Sequence, residues 1–263
     1  AFASSLDQIG PITKDVTDAA LMMNVLTLPD VRDWFALPHD PRDYREGLED
    51  GVKGLRIAYS ANLGYAAVEK EIAALARKAA MRFAKLGAHV EEADPGFENA
   101  GPIFTTHWFA AAASLLRSFS SEQVKLVDPG LRDVARQGAK IRMLDYLDAV
   151  QKRGQLGVLM NRFHRKYDLL LTPTLPLAAF EAGREVADLL KEKRWTDWTP
   201  FSYPFNLTQQ PAASIPCGFT RKRLPVGLHI VGPRYADALV LRAARAYESV
   251  HPIALPDVSK LRN

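Results

Sequence analysis

Tyr167 to Phe180 reads YDLLLTPTLPLAAF, and its first half decides the architecture. Leu169 to Thr172 is a short, continuously apolar run stopped by Pro173. Such a run, without polar alternation, suits a strand covered on both faces at the centre of a sheet. Upstream, Leu55 to Tyr59 (LRIAY) reads as a strand, Glu69 to Leu86 as a helix with Ile72, Leu75, Ala79, Phe83 and Leu86 on one side, and Ala88 to Glu92 as a second strand after Gly87. A strand, a helix and a strand in that order favour a parallel pair. Downstream, Ala212 to Phe219 and Val226 to Val231 read as two strands joined through Thr220 to Arg223, a hairpin. The predicted fold class is therefore α/β, a mixed sheet wrapped by helices.

The remaining segments read mainly as helix and loop. Asp15 to Thr27 carries Val16, Ala19, Ala20, Met23 and Leu26 at the helical period, with Asp15 and Asp18 in its first turn. Pro29 to Arg45, rich in Pro, Asp and Arg, reads as a surface loop. Ile103 to Arg117, Leu131 to Gln137 and Ile141 to Arg165 read as helices, broken near Asp128-Pro129-Gly130 and weakened at Gly154 and Gly157. Ser120 and Ser121, followed by Glu122, form a helix-cap pattern. Ala236 to Val250 is a closing helix. Residues 1–250 are expected to form part of one domain, with 251–263 as a loose tail.

Composition excludes several classes. With 48% hydrophobic and 24% charged residues, the chain has the balance of a soluble globular protein. The net charge of +4 invites a nucleic-acid reading, but nine Arg or Lys against three Asp between Arg132 and Lys166 account for more than all of it. Those charges are spaced along a predicted helix, so a solvated face is expected and no nucleic-acid partner. The single cysteine, Cys217, excludes an internal disulfide framework and lies in an apolar strand pattern, so it reads as a buried packing thiol in a reducing, cytoplasmic setting. The longest apolar run, around Trp108 to Leu116, is too short to span a bilayer, and no membrane partner is expected. The chain opens at Ala1 and runs straight into patterned sequence, from which a piece of a longer protein is expected.

Chemistry is sparse. There is no G-x-S-x-G, S-x-x-K, H-E-x-x-H, G-x-G-x-x-G or phosphate loop. His39, His89, His107, His164, His229 and His251 are scattered without metal spacing, so no metal and no cofactor is expected. Ser4-Ser5 reads as a turn ahead of Gly10-Pro11 rather than as a nucleophile pair.

Three stretches, AFASSLDQIGPITKDVTDAALMMNVL at Ala1 to Leu26, YDLLLTPTLPLAAF, and PFNLTQQPAASIPCGFTRKRLPVGLHIVG at Pro204 to Gly232, resemble in sequence and in order the closing part of enzymes of the amidase signature family. The resemblance implies one large mixed sheet wrapped by helices, of which this chain supplies part, and amide hydrolysis through an acyl-enzyme. It also implies that a Lys, a Ser in a cis peptide and a nucleophilic Ser all lie upstream of SSLDQIGP, so no catalytic residue is assigned here.

What remains for these residues is a substrate wall for a small-molecule amide. Pro173 ends the apolar strand, where ligands gather in open α/β sheets. The resemblance likewise places this loop, with Phe201, Phe205 and Asn206 of the next such segment, near the active site, and puts Trp108 in a region that varies with substrate. Two departures stand out. Gln209 occupies a position where the family commonly has Gly, which would reach positive φ at less cost. His229 stands where Gln is frequent. Thr199 and Pro200 precede Phe201 to Asn206, where the family's glutamine-dependent amidotransferases usually carry an acidic residue, and Gly138 to Tyr146 lacks their G-T-Y-x-L-S-x-G stretch. A free-standing amidase is thus preferred over an amidotransferase-like glutaminase or a non-catalytic scaffold. The chain alone is expected to be inactive and to self-associate into homo-oligomers through unpaired sheet edges.

Overall fold

The computed structural model describes residues 4–188, 192 and 194–252; most of the expected tail lies outside them. At the centre is β3 (Leu169–Pro173), every residue of which is buried. It pairs in parallel with β1 (Arg56–Tyr59) and antiparallel with β5 (Pro225–Val231). β1 pairs in parallel with β2 (His89–Glu92), and β5 antiparallel with β4 (Ala212–Phe219), giving the order β2-β1-β3-β5-β4. Continuous apolarity, the parallel pair and the hairpin are all present as the sequence predicts.

Alternation along the strands divides the interior in two. Leu169 and Leu171 join Ile57, Ile215, Leu228 and Ile230 in one core, under α2 (Lys70–Lys85) and α8 (Asp237–Val250), with α1 (Val16–Leu26) packed on α8. Leu170 joins Ala58 and Val231 in the other, under α6 (Met143–Lys166) and α7 (Tyr203–Thr208), with Phe104 of α3 (Gly101–Leu116). Helices on both faces bury both sides of β3, which a central LLL run requires, while the outer strands stay exposed, β2 largely and β4 in part.

Caps explain where the helices begin. The Asp15 carboxylate accepts from the Asp18 backbone N–H ahead of α1. Ser120 and Gln123 close a reciprocal capping box on α4 (Ser121–Leu126), and Asp128 with Pro129 opens α5 (Pro129–Gly138). One expectation changes. α6 runs unbroken through Gly154 and Gly157, because its buried side, built from Ala149, Leu156, Met160 and Phe163, holds the whole length against the core. Ser4–Leu6 forms a short 3₁₀ turn, in keeping with the turn expected at Ser4-Ser5.

Cys217 is buried, and that burial pushes its thiol up to about 11, in keeping with a packing role. The loop before β1 is exposed along 28–42, as expected. Among the described residues, no helix is long and apolar enough to cross a membrane.

α5 crosses α3 at Gly138, where a Cβ would fall 1.8 Å from the Phe109 carbonyl oxygen. Helix propensity alone favours Ala over Gly by about 1 kcal/mol. Because the clash is with backbone, Gly138→Ala is expected instead to destabilise the chain by about 3 kcal/mol. Urea denaturation of the two proteins reads the sign directly, and a neutral or stabilised variant would show that the crossing relaxes.

Candidate active-site wall

At the end of β3 the sheet carries a row of uncharged polar side chains. Register sets Thr172 opposite His229 and His229 opposite Ser214, across three neighbouring strands. Thr172 is sealed in the interior, His229 and Thr174 are half-buried, and Ser214 is exposed, so the row rises from the core to the surface. Just beyond it, the Thr174 and Ser214 hydroxyls lie 2.8 Å apart. They pass over Gly227, where a Cβ would meet Thr174 Oγ1 at 2.6 Å and Ser214 Oγ at 2.8 Å. The absent side chain at Gly227 is what lets the two hydroxyls meet.

α7 flanks this row. Tyr203–Thr208 is a single helical unit with Pro204 at its start, and the Phe205 ring stands edge-on to His229 with centroids 5.5 Å apart. α7 ends at Gln209, whose φ of 60° and ψ of 39° are left-handed. The position keeps the conformation that Gly would favour, and the Gln209 amide oxygen accepts from Arg234 Nη2 at 3.0 Å. Next to it, the buried Gln210 takes the Thr208 hydroxyl on Oε1, while its Nε2 has no hydrogen-bond partner among the described residues.

Two polar side chains tie α7 to the N-terminal segment. Asn206 Nδ2 donates to the Leu6 carbonyl at 3.1 Å and to Gln8 Oε1 at 3.5 Å. Arg153 donates from Nε to the Leu207 carbonyl at 2.7 Å, from Nη1 to Ser5 Oγ at 2.9 Å and from Nη2 to the Ser5 carbonyl at 3.1 Å. Arg153 thus departs from the solvated face expected for its helix. Desolvation lowers its pKa, and its three bonds occupy backbone and hydroxyl acceptors rather than a carboxylate.

Of the five residues read from the sequence as substrate-binding, Trp108, Phe201 and Phe205 share the α6–α7 core and Asn206 lies on α7, while Pro173 ends β3. Pro173 ends β3 beside Leu228. Phe201 is fully buried and Phe205 nearly so, both in the α6–α7 core. Asn206 is half-buried on the N-terminal segment. Trp108 packs on the same core, stacked on Phe104 at 5.4 Å and edge-on to Trp195 at 5.8 Å. Arg153, Gln210 and the Thr174–Ser214 pair were missed. For Arg153 a signal existed: it lies four residues after Ala149 and three before Leu156, on the inward stripe of α6.

The wall is electrically neutral at its centre. His229 Nδ1 is buried without a hydrogen-bond partner among the described residues, and burial pushes the imidazole down to about 4. No trio of His, Cys, Asp or Glu that could hold a metal ion occurs among the described residues. Neutral donors and acceptors on strands and a capped helix are suited to an uncharged carbonyl or amide group.

Comparison with known proteins gives the family. A family model described as Amidase matches residues 1–241, and the chain belongs to that family, the amidase signature enzymes. It is 34% identical over 251 residues to an acylamidase of Rhodococcus erythropolis, covering 93% of this chain and 52% of the relative. It is 36% identical over 273 aligned residues to the A-type subunit of the glutamyl-tRNA(Gln) amidotransferase of Moorella thermoacetica, covering 94% and 55%. Among solved structures, a bacterial aryl acylamidase of the amidase signature family matches with a TM-score of 0.82 and 31% identity over 92% of this chain and 53% of that one. The chain spans about half the length of the curated relatives it matches.

A histidine held at about 4 when folded and near its ordinary 6.5 when unfolded binds fewer protons in the native state between those values. Its contribution to stability is therefore full above roughly pH 6.5 and is lost as pH falls toward 4, by about 3 kcal/mol over the window. His229→Gln, which cannot titrate, is expected to remove that part of the acid destabilisation. Denaturant melts of both proteins at neutral pH and near pH 4.5 check it; equal acid losses would refute the assignment.

Proposed function

We propose that this chain forms the substrate-facing wall of a cytoplasmic serine amide hydrolase acting on a carboxamide or an aryl or alkyl amide, with release of an amine or ammonia. The observation that carries the reading is the uncharged row Thr172, His229, Ser214 and Thr174 beside α7, on a chain that belongs to the amidase family. Asn206 and the neighbouring hydroxyls orient the amide, while Trp108, Pro173, Phe201 and Phe205 shape the apolar surround. The acyl-enzyme chemistry is supplied by a Lys, a Ser in a cis peptide and a nucleophilic Ser that these 263 residues do not contain.

A glutaminase of the amidotransferase type is the second reading, favoured by the similarity to the Moorella thermoacetica protein. Against it stand Thr199 and Pro200 ahead of Phe201. Self-association through the sheet edges β2 and β4 is supported by the partly exposed outer strand β4 and by Leu21, Met22, Val25, Leu26 and Trp34, which are exposed on and after α1. Light scattering at high concentration should show association, and a monomer there would exclude it.

The isolated chain is expected to show no turnover of simple anilides, carboxamides or glutamine. The full-length gene product should hydrolyse anilides or carboxamides and lose that activity when the nucleophilic serine is replaced by alanine. Turnover by the isolated chain would overturn the assignment of the chemistry to residues outside it. Full-length activity confined to glutamine would select the second reading.

A further inference from the structure

At the edge of the sheet opposite β4, the last turns of α6 place Leu159, Arg162, Phe163 and Lys166 on a single stripe, at spacings of three and four residues. The stripe faces the chain where it leaves β2 at Ala93, Asp94 and Pro95, and a cleft of about 470 Å³ lies between them. Ala93 to Pro95 follow the carboxyl end of β2, whereas Tyr167 leads into the amino end of β3, so the cleft borders the β2 side of the sheet rather than the carboxyl ends of its strands, and its size suits a small molecule.

Its charges are unevenly spent. Lys166 Nζ donates to Glu91 Oε1 at 2.9 Å and to the Tyr167 hydroxyl at 2.7 Å, and sits 4.7 Å from the Tyr167 ring centroid. Arg162, one turn earlier, has no ion pair or hydrogen bond among the described residues. Across the cleft, the Asp94 carboxylate accepts only the Ser60 hydroxyl, at 2.5 Å, and pairs with no cation there. Between these opposite, mutually unpaired charges the buried rings of Phe163 and Tyr167, with centroids 4.8 Å apart, form an apolar floor that Leu159 extends.

The geometry points to a binding site for an apolar α-amino acid, its carboxylate on Arg162, its ammonium on Asp94 and its side chain on the Phe163–Tyr167 floor. The site is separate from the wall beside α7 and does not depend on the amidase reading. A guanidinium offers paired donors to a carboxylate, and a ligand carrying both charges at one end answers both walls at once.

The test titrates L-phenylalanine into the 263-residue chain and follows backbone amide NMR shifts. Saturable shifts confined to residues 93–95 and 159–167 are expected. 3-Phenylpropionate, which lacks the ammonium, and phenethylamine, which lacks the carboxylate, should each bind about tenfold more weakly. Arg162→Gln should weaken phenylalanine by a similar factor and leave phenethylamine unchanged. Asp94→Asn retains an acceptor for Ser60 and should leave 3-phenylpropionate unchanged. An absence of saturable shifts, shifts located elsewhere, or equal affinity for phenylalanine and 3-phenylpropionate would overturn the proposal. The ligand series decides it on the unmodified chain even where a variant fails to fold.

Discussion

The sealing of β3 on both faces is the constraint that organises this chain. A buried strand cannot leave its N–H and C=O groups to water, so both of its edges must be paired. β1 fills one edge in parallel and β5 the other antiparallel. Its side chains must also find cover above and below. Leu169 and Leu171 on one face and Leu170 on the other therefore require two separate helical layers, one from α2 and α8 and one from α6 and α7. The strand's single hydroxyl side chain, Thr172, is fully buried and satisfies itself by donating to the Pro173 carbonyl at 2.8 Å. Where the apolar run stops, the polar row starts, so the place at which β3 ends also fixes where the candidate wall lies.

What could be read in advance follows from how repetitive each signal is. β3 is legible because three leucines in succession leave no polar face, and α2 because its apolar residues recur at the helical period. α7 has neither cue. It is a six-residue unit whose sequence YPFNLT shows no period, and five of its residues are buried because it is enclosed by α6, α3 and the N-terminal turn. Asn206 was legible as a site residue, but its bond to Leu6 was not, since it joins positions 200 residues apart. Arg153 fell outside the sequence reading for a different reason. The spacing of charges along the chain averages over the whole helix, and one arginine on the inward stripe is lost in the sum.

Gln209 shows how a local preference yields to its surroundings. A left-handed residue other than Gly costs on the order of 1 kcal/mol, which one well-packed helix end can absorb. The following turn is held by the Gln210 N–H donating to the Phe205 carbonyl, and the Gln209 side chain is engaged by Arg234. Helix α7 consequently ends where a Gly would have ended it, and Phe205 keeps its place against His229.

The substitution of His for Gln at position 229 bears on the chemistry of the wall more than on its shape. A carboxamide presents donors and an acceptor without net charge, and a neutral imidazole presents one donor and one acceptor. The two are equivalent in that respect only while the ring stays unprotonated. Burial secures this by pushing the His229 pKa down to about 4, far from neutral pH. Thr172, Ser214 and Thr174 around it are hydroxyls that can give or take a hydrogen bond, and none carries charge. A charged ligand group placed on this row would lose its hydration without gaining a counter-ion, whereas an amide would find its C=O and N–H matched. The position thus keeps neutral two-way hydrogen bonding, the property that the proposed recognition of an uncharged amide needs.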